Sequence, residues 1–233
     1  MRKVLKAIYK AIPFKKQLFS SIKVFWKPPH RIYQHLHFKG VIKINTGDNN
    51  FFKIYHHGFE IENSLFWEGL HGGWEKVSVD LWKKLSKGSS TVFDIGANTG
   101  VFSLITASLN TDCDIHAFEP VNRVYAKLAH NVKLNGFNIH CNELAVSDQT
   151  GKAVIYDTMG EHILSVTVNK NLQESDEKVK PVQISTIRLD EYIRDNNIGK
   201  IDLMKIDVET HEAEVLLGMG EYLSRFKPTL LIE

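Results

Sequence analysis

Thr91-Val-Phe-Asp-Ile-Gly-Ala-Asn-Thr-Gly100 runs directly into Val101-Phe-Ser-Leu-Ile-Thr-Ala-Ser-Leu109. Val92, Phe93 and Ile95 read as a short buried strand. Gly96 and Gly100 frame a turn in which the backbone can approach a ligand with no Cβ in the way. Val101, Leu104, Ile105 and Ala107 recur at helical spacing, so the turn opens a helix whose free amide ends face outward. Strand, carboxylate, glycine turn and helix in this order predict a nucleoside pocket.

A dinucleotide loop would need G-x-G-x-x-G, with room for a pyrophosphate at the second glycine and close helix packing at the third. Counted from Gly96, those places hold Asn98 and Val101. A diphosphate site is therefore disfavoured, while Asp94 suits a cationic or hydroxyl-bearing ligand. S-adenosylmethionine fits that description.

Outward from this turn the pattern alternates strand and helix over 91–95, 100–109, 113–119, 121–134 and 138–145. Such alternation implies right-handed crossovers and a parallel sheet. Further strands are expected at 153–157, 181–188, 202–208 and 229–232, with helices at 190–196 and 209–224. The polar stretch Asn169 to Lys180 reads as a loop over or beside the site. Upstream, Gly40–Asn45 and Phe51–Tyr55 flank a Thr46-Gly-Asp-Asn-Asn50 turn, a hairpin signal. Segments 61–67 and 74–85 carry apolar residues at mostly helical spacing. The expected organisation is a basic leader (1–39), a hairpin with cap helices (40–90) and an α/β core (91–233).

The net charge of +2 conceals an asymmetry: residues 1–40 hold ten of the 29 Lys and Arg and none of the 27 acidic residues. Within Met1 to Phe25, lysines interrupt every apolar run well before the ~18 residues a membrane span requires, and no cleavage site follows. This leader is neither a signal peptide nor a transmembrane helix. It reads either as a surface helix ended by Pro28-Pro29 or as an amphipathic segment for an anionic membrane surface. The acidic remainder and the lack of any binding module argue against nucleic acid. Cys113 and Cys141 sit beside apolar runs and read as reduced core residues, which sets a cytoplasmic compartment as the default, peripheral at the membrane if the leader binds there.

The second strand ends at Glu119-Pro120, where an acid in a doubly wound sheet reaches ribose hydroxyls. Ala145 and Val146, with Ser147 and Asp148 after them, end the third strand and border the expected base site. Asn131 and Asn135 read as polar residues near a helix end, with Gly136 as its left-handed cap. The fourth strand carries Ile201-Asp-Leu-Met-Lys-Ile-Asp-Val-Glu-Thr-His-Glu212. Lys205 and Asp207 share one face of an otherwise apolar strand, and burying them is costly unless they pair or meet a polar cleft. Glu209, His211 and Glu212 follow at the rim where open α/β sheets bind ligands. No local ligand spacing supports a transition metal.

Together, Asp94-Ile-Gly-Ala-Asn-Thr-Gly100, Phe118-Glu-Pro120, Asn131 to Asn135, Ala145-Val-Ser-Asp148 and Lys205-Ile-Asp-Val-Glu209 with Glu212 resemble the FkbM family of S-adenosylmethionine-dependent methyltransferases, in order and from about residue 60 to the end. The resemblance implies a doubly wound, mostly parallel, Rossmann-like class I methyltransferase sheet and O-methylation of sugars or glycosylated natural products. Two departures stand out. The family generally places glycine where this chain has Thr210, and it continues past a fifth strand where this sequence stops at Glu233. That second departure leads us to expect a sheet without the usual C-terminal strands and self-association through the fifth strand.

On this reading Asp94 and the turn Gly96, Ala97, Asn98, Thr99 and Gly100 hold the methionine portion, with Glu119 on the ribose. Asp207, Glu209 or His211 takes the acceptor proton, and Lys205 orients the carboxylates. Histidine titrates nearest neutrality, whereas Asp207 has the better expected placement. Residues alone do not choose between them. The substrate is expected to be a small molecule or a glycan. The alternative is an inactive nucleoside-binding scaffold of the same fold.

Overall fold

The computed structural model describes residues 9, 12–72, 75–158, 166–167 and 179–233. The polar stretch expected as a loop falls largely on 168–178, and the start of the leader on 1–8; both lie outside the described residues. Helix α1 (Lys15–Phe25) ends ahead of Pro28-Pro29, and the short α2 (His30–Tyr33) follows. Phe19, on α1, is buried against Phe38 and Trp67 at ring centroid distances of 6.1 and 5.7 Å. The leader is thus docked on its own domain, with Phe19, Tyr33 and Phe38 all buried.

The hairpin pairs β1 (Gly40–Gly47) with β2 (Asn50–His56). Asp48 and Asn49 both adopt positive φ, 53° and 63°, the pattern of a type I′ turn whose twist matches the strands. Two helices follow, α3 (Glu60–Glu68) and α4 (Lys76–Ser86). Glu62, three residues into α3, reaches back to accept from the Phe59 amide at 3.0 Å.

The core begins at β3 (Thr91–Ile95), then runs α5 (Val101–Leu109), β4 (Asp114–Phe118), α6 (Asn122–Asn135) and β5 (His140–Asn142). The expected third strand breaks here. Residues 140–142 pair with β4, while β6 (Ala145–Ser147) joins a different sheet. That second sheet has the order β6-β9-β7-β8, from β7 (Gly151–Thr158), β8 (Val166–Thr167) and β9 (Val179–Arg188). The chain returns through α7 (Leu189–Asp195), β10 (Leu203–Ile206), α8 (Glu212–Gly218), α9 (Glu221–Phe226) and β11 (Thr229–Ile232). The single helix expected over 209–224 is two. A Cβ on Gly218 would sit 2.2 Å from the Ser147 carbonyl oxygen, so α8 lies against β6, and Gly220 turns the chain with φ 54°.

The main sheet is parallel with the order β11-β10-β3-β4-β5. Burial follows the period of two that a strand imposes. Val92, Ile115, Ala117 and Leu203 belong to one core with α5 and the hairpin; Phe93, Ile95, Phe118, Met204 and Ile206 belong to another with α7 and α8. Helices therefore cover both faces. Eight of the nine residues of α5 are buried, because the sheet lies on one side and β1, β2 and α4 on the other. Order reverses between β3 and β10, and a crevice opens there at the carboxyl ends of the strands.

Two polar residues of α6 tie the hairpin to this crevice. Asn131, fully buried, accepts from the Tyr55 amide at 2.9 Å and donates to the Thr99 carbonyl at 2.9 Å. Asn135 exchanges both hydrogen bonds with the Lys53 backbone, at 2.6 and 2.7 Å. Gly136 caps α6 with φ 65°.

Candidate active site

An open cavity of about 1050 Å³, counting its solvent-filled mouth, lies at the strand-order reversal. Gly96, Asn98, Glu119, Pro120, Ala145, Val146, Asp207, Glu209 and His211 are on its wall. Asp94, Ala97, Thr99, Gly100 and Lys205 are not.

The turn owes its shape to three backbone facts. The Gly96 and Ala97 amides both donate to the Phe118 carbonyl, at 3.0 and 2.9 Å. Gly96 has φ 80°, and a Cβ there would lie 1.8 Å from the Asp207 carbonyl oxygen. Asn98 takes φ 51°, a left-handed conformation that asparagine tolerates. Glycine at 96 is thus what lets the two central strands release the chain side by side.

Asp94 faces the other way. On β3 it shares parity with Val92 and points to α5, where its Oδ2 accepts from the Ser103 amide at 2.9 Å and hydroxyl at 2.6 Å. It caps the helix rather than lining the cavity. Burial pushes its carboxyl above the usual range, against the pull of Lys205 and Ser103. Lys205 sits beside it in register on β10, 2% exposed at its side chain, with Asp207 Oδ2 at 2.6 Å and Glu233 Oε2 at 3.8 Å. Burial works to lower the lysine, but Asp207, Asp94 and Glu233 outweigh it and hold the ammonium above its ordinary value. Glu75, Asp207 and Glu233 offer oxygens within 4.8 Å of one another, a set able to take a hard cation; two of the three already meet the Lys205 ammonium. Glu75 is pushed up to about 7, first by burial and then by Glu233, with which it shares a hydrogen bond. The sequence carried no sign of Glu75 or Glu233 in this cluster, since neither belongs to a local motif.

On the cavity wall Glu119 accepts one backbone bond at each oxygen, from Asn98 N at 3.1 Å and Val121 N at 2.9 Å. Each oxygen of a carboxylate can accept more than one donor, so the rim position remains suited to ribose hydroxyls. Asn98 Oδ1 is buried with no hydrogen-bond partner among the described residues, an acceptor waiting for a ligand donor. The opposite wall is apolar: Val121, Val124, Leu144, Ile155 and Ile184. Ile155 and Ile184 come from the second sheet and had no signal in sequence beyond short strand runs. Carboxylate, orphaned acceptor, glycine approach and apolar wall together fit an adenosine-bearing ligand.

His211 is the best-oriented ionisable group on the wall. Its Nε2 lies 3.0 Å from Ser147 Oγ and its Nδ1 3.4 Å from Glu214 Oε2. Glu209, just before it, is raised first by burial and then by Asp207 and Glu212. Glu209 and Thr210 both have positive φ, 53° and 77°, so the segment is a tight loop and the helix starts only at Glu212.

Residues 94–233, from the capping aspartate to the last glutamate, match the model of the methyltransferase FkbM domain. The chain belongs to the FkbM methyltransferase domain family. S-adenosylmethionine is the cofactor that membership brings to the pocket. Among curated relatives, 31-O-demethyl-FK506 methyltransferase FkbM of Streptomyces tacrolimicus is 29% identical over 154 residues, covering 56% of this chain and 59% of its own length. The 2-O-methyltransferase NoeI of Sinorhizobium fredii is 27% identical over 161 residues, covering 64% and 65%. This chain therefore spans less than two thirds of the length of either relative. A solved chain, M. jannaschii TYW2 with AdoMet, is 15% identical over 53% of this chain and 65% of its own, at a TM-score of 0.30, too slight a likeness to argue from.

Proposed function

We propose that this FkbM-domain protein is an S-adenosylmethionine-dependent O-methyltransferase that acts on a hydroxyl of a sugar, in a glycan or a glycosylated metabolite. The names of two relatives, a 31-O-demethyl-FK506 methyltransferase and a 2-O-methyltransferase, support the oxygen acceptor. The sugar follows the usual activity of the family it resembles.

The observation that carries the reading is the Ser147–His211–Glu214 arrangement at the cavity wall. The bound sulfonium supplies an electrophilic methyl group; the chain must supply position and a proton acceptor. Glu214 beside Nδ1 favours the tautomer that leaves Nε2 as an acceptor, and the single hydroxyl hydrogen of Ser147 is shared between His211 Nε2 at 3.0 Å and Asp148 Oδ1 at 3.2 Å. His211 Nε2 then takes the hydroxyl proton as the acceptor oxygen bonds to the methyl carbon. Asp207 is the weaker candidate because its Oδ2 is held by Lys205 at 2.6 Å. Glu119 and Asn98 hold the cofactor, and Asp94 acts behind them by fixing the turn. His211→Ala should lower methyl transfer by about 10²–10⁴-fold while leaving S-adenosylmethionine binding by calorimetry intact. Retained turnover would remove His211 from the mechanism.

The leader supports a site of work at an anionic lipid surface. Phe14, Val24, Phe25 and Trp26 are 74, 75, 90 and 51% exposed on a segment rich in lysine. No helix among the described residues is long and apolar enough to cross a membrane. Phe25→Glu should reduce co-sedimentation with phosphatidylserine vesicles; unchanged binding would refute the contact.

A further inference from the structure

Outside the residues that line the cofactor cavity, the face of the main sheet that packs on α7 carries a second cluster. Asp114 and His116 lie two apart on β4, so both project from one face, and His140 is the direct cross-strand neighbour of His116 on β5. The two imidazoles stack, with centroids 4.7 Å apart and planes at 15°. Asp114 Oδ2 is 3.2 Å from His116 Nε2, and Asp114 Oδ1 is 3.2 Å from His140 Nε2. The three ligand-capable atoms all lie within 4.8 Å of one another.

The hydrogen-bond chain behind His116 decides what its Nε2 is. Asn142 donates through Nδ2 to the Ala117 and His140 carbonyls, at 3.2 and 3.0 Å, which fixes Oδ1 as its acceptor. Tyr192 donates its hydroxyl hydrogen to that Oδ1 at 3.3 Å. With the Tyr192 hydrogen on Asn142, the Tyr192 oxygen accepts from His116 Nδ1–H, 2.8 Å away. In the neutral ring this leaves Nε2 unprotonated, a lone pair aimed at a carboxylate. The ring is buried, 4% exposed. Nε2 has no hydrogen-bond partner among the described residues, although Asp114 is so near. Two lone-pair donors facing each other repel unless a cation lies between them.

We infer that Asp114, His116 and His140 form a binding site for a divalent transition metal of the zinc type, with water as the fourth ligand. Two imidazole nitrogens and one carboxylate suit zinc and not the all-oxygen preference of magnesium or calcium. Bonds of about 2.0 Å at a tetrahedral angle place donor atoms about 3.3 Å apart, close to the 3.2 Å that separates each imidazole nitrogen from one of the two Asp114 oxygens, so binding through a single oxygen needs a small turn of the carboxylate. Side chains of Asp114 and His140 are 48 and 51% exposed, so the metal has an entry path and a solvent position. Tyr192 plays the orienting part that outer partners of metal-bound histidines play. The bound ion ties the edge strand β5 to β4, and through Tyr192 to α7. It takes no part in methyl transfer and does not depend on the reading of the cofactor cavity.

The test is calorimetric titration of untagged, chelator-stripped protein with ZnCl2, with CoCl2 as the spectroscopic probe. Expected are one tight zinc per chain, a raised thermal midpoint and visible absorption of four-coordinate cobalt. His140→Ala, at a half-exposed position, should weaken zinc by more than about 100-fold while S-adenosylmethionine binding persists. Tyr192→Phe should weaken it by about 10–100-fold with all three ligands still present, which a merely structural tyrosine would not do. Equal zinc binding by wild type and His140→Ala, an adventitious ion only, would overturn the assignment. So would the absence of tight binding by wild type.

Discussion

Thr210 stands where the resemblance leads one to expect glycine, and the structure gives that residue a cost. Its φ is 77°, and Glu209 before it is also left-handed at 53°. A β-branched residue in this region is a real outlier, because Cβ crowds the following carbonyl, at about 1–2 kcal/mol per residue. The side chain is exposed, and the polar contact of the residue is made by its backbone amide, to Glu212 Oε1 at 3.1 Å. Thr210→Gly therefore removes the strain and loses no side-chain hydrogen bond. Against this, glycine adds freedom to the unfolded chain worth about 0.4–1 kcal/mol. The net expectation is a gain of about 1 kcal/mol, or about 2–4 °C in thermal midpoint for a chain of this size. Thermal melts followed by circular dichroism, with urea unfolding alongside, would measure it. Thr210→Ala serves as the control, since it removes the β-branch but keeps the Cβ, and should gain only a fraction of this. A glycine variant with an unchanged or lower midpoint would show that the loop does not hold residue 210 left-handed, and the strain argument would fail.

Other expectations are simpler. Glu62 is fully buried and pushed up to about 8 from 4.5, chiefly by burial. Its proton stays on in the folded state and leaves in the unfolded state, so its cost to folding is nil below about pH 4.5, grows as pH rises and levels off above about pH 8. Glu62→Gln should therefore match wild type in urea stability at pH 4.5 and exceed it at pH 7 by on the order of 3 kcal/mol; parallel pH profiles would contradict this. Gly96→Ala would drive a Cβ against the Asp207 carbonyl oxygen in a left-handed backbone. It should cost about 3 kcal/mol and abolish S-adenosylmethionine binding, and normal binding by a calorimeter would count against the crevice geometry.

Which parts of this fold were legible in sequence follows from what each residue senses locally. Thr91–Ile95 and Thr229–Ile232 were read to the residue, because central and terminal strands of a parallel sheet are continuous apolar runs bounded by polar or turn residues. The break between His140–Asn142 and Ala145–Ser147 was invisible, since both halves have the same strand character and only their partners differ. Gly218 and Gly220 inside one apparent helical period split it because β6 comes close, a fact of tertiary packing. Asp94 is held on the helix side of its strand by Ser103. Its parity with Val92 on a strand turned toward α5 already pointed it at the helix, but proximity to the glycine turn drew it into the expected ligand shell. The partners of His211, namely Ser147 across 64 residues and Glu214 on the next turn, needed the fold to meet. The same holds for Asp114, His116 and His140, whose ligand spacing exists only across two strands.

The paired amides of Asn131 and Asn135 make the hairpin half of a latch. Tyr55 and Lys53 on β2 are fastened to the helix that also grips the carbonyl of Thr99, so the turn at the cofactor cannot open without loosening the hairpin. By reciprocity, whatever steadies that turn must also slow solvent exchange of the Tyr55 amide, on a separate sheet. The segment ahead of the glycine turn is in this sense a built-in reporter of occupancy, readable by isotope exchange at one backbone nitrogen.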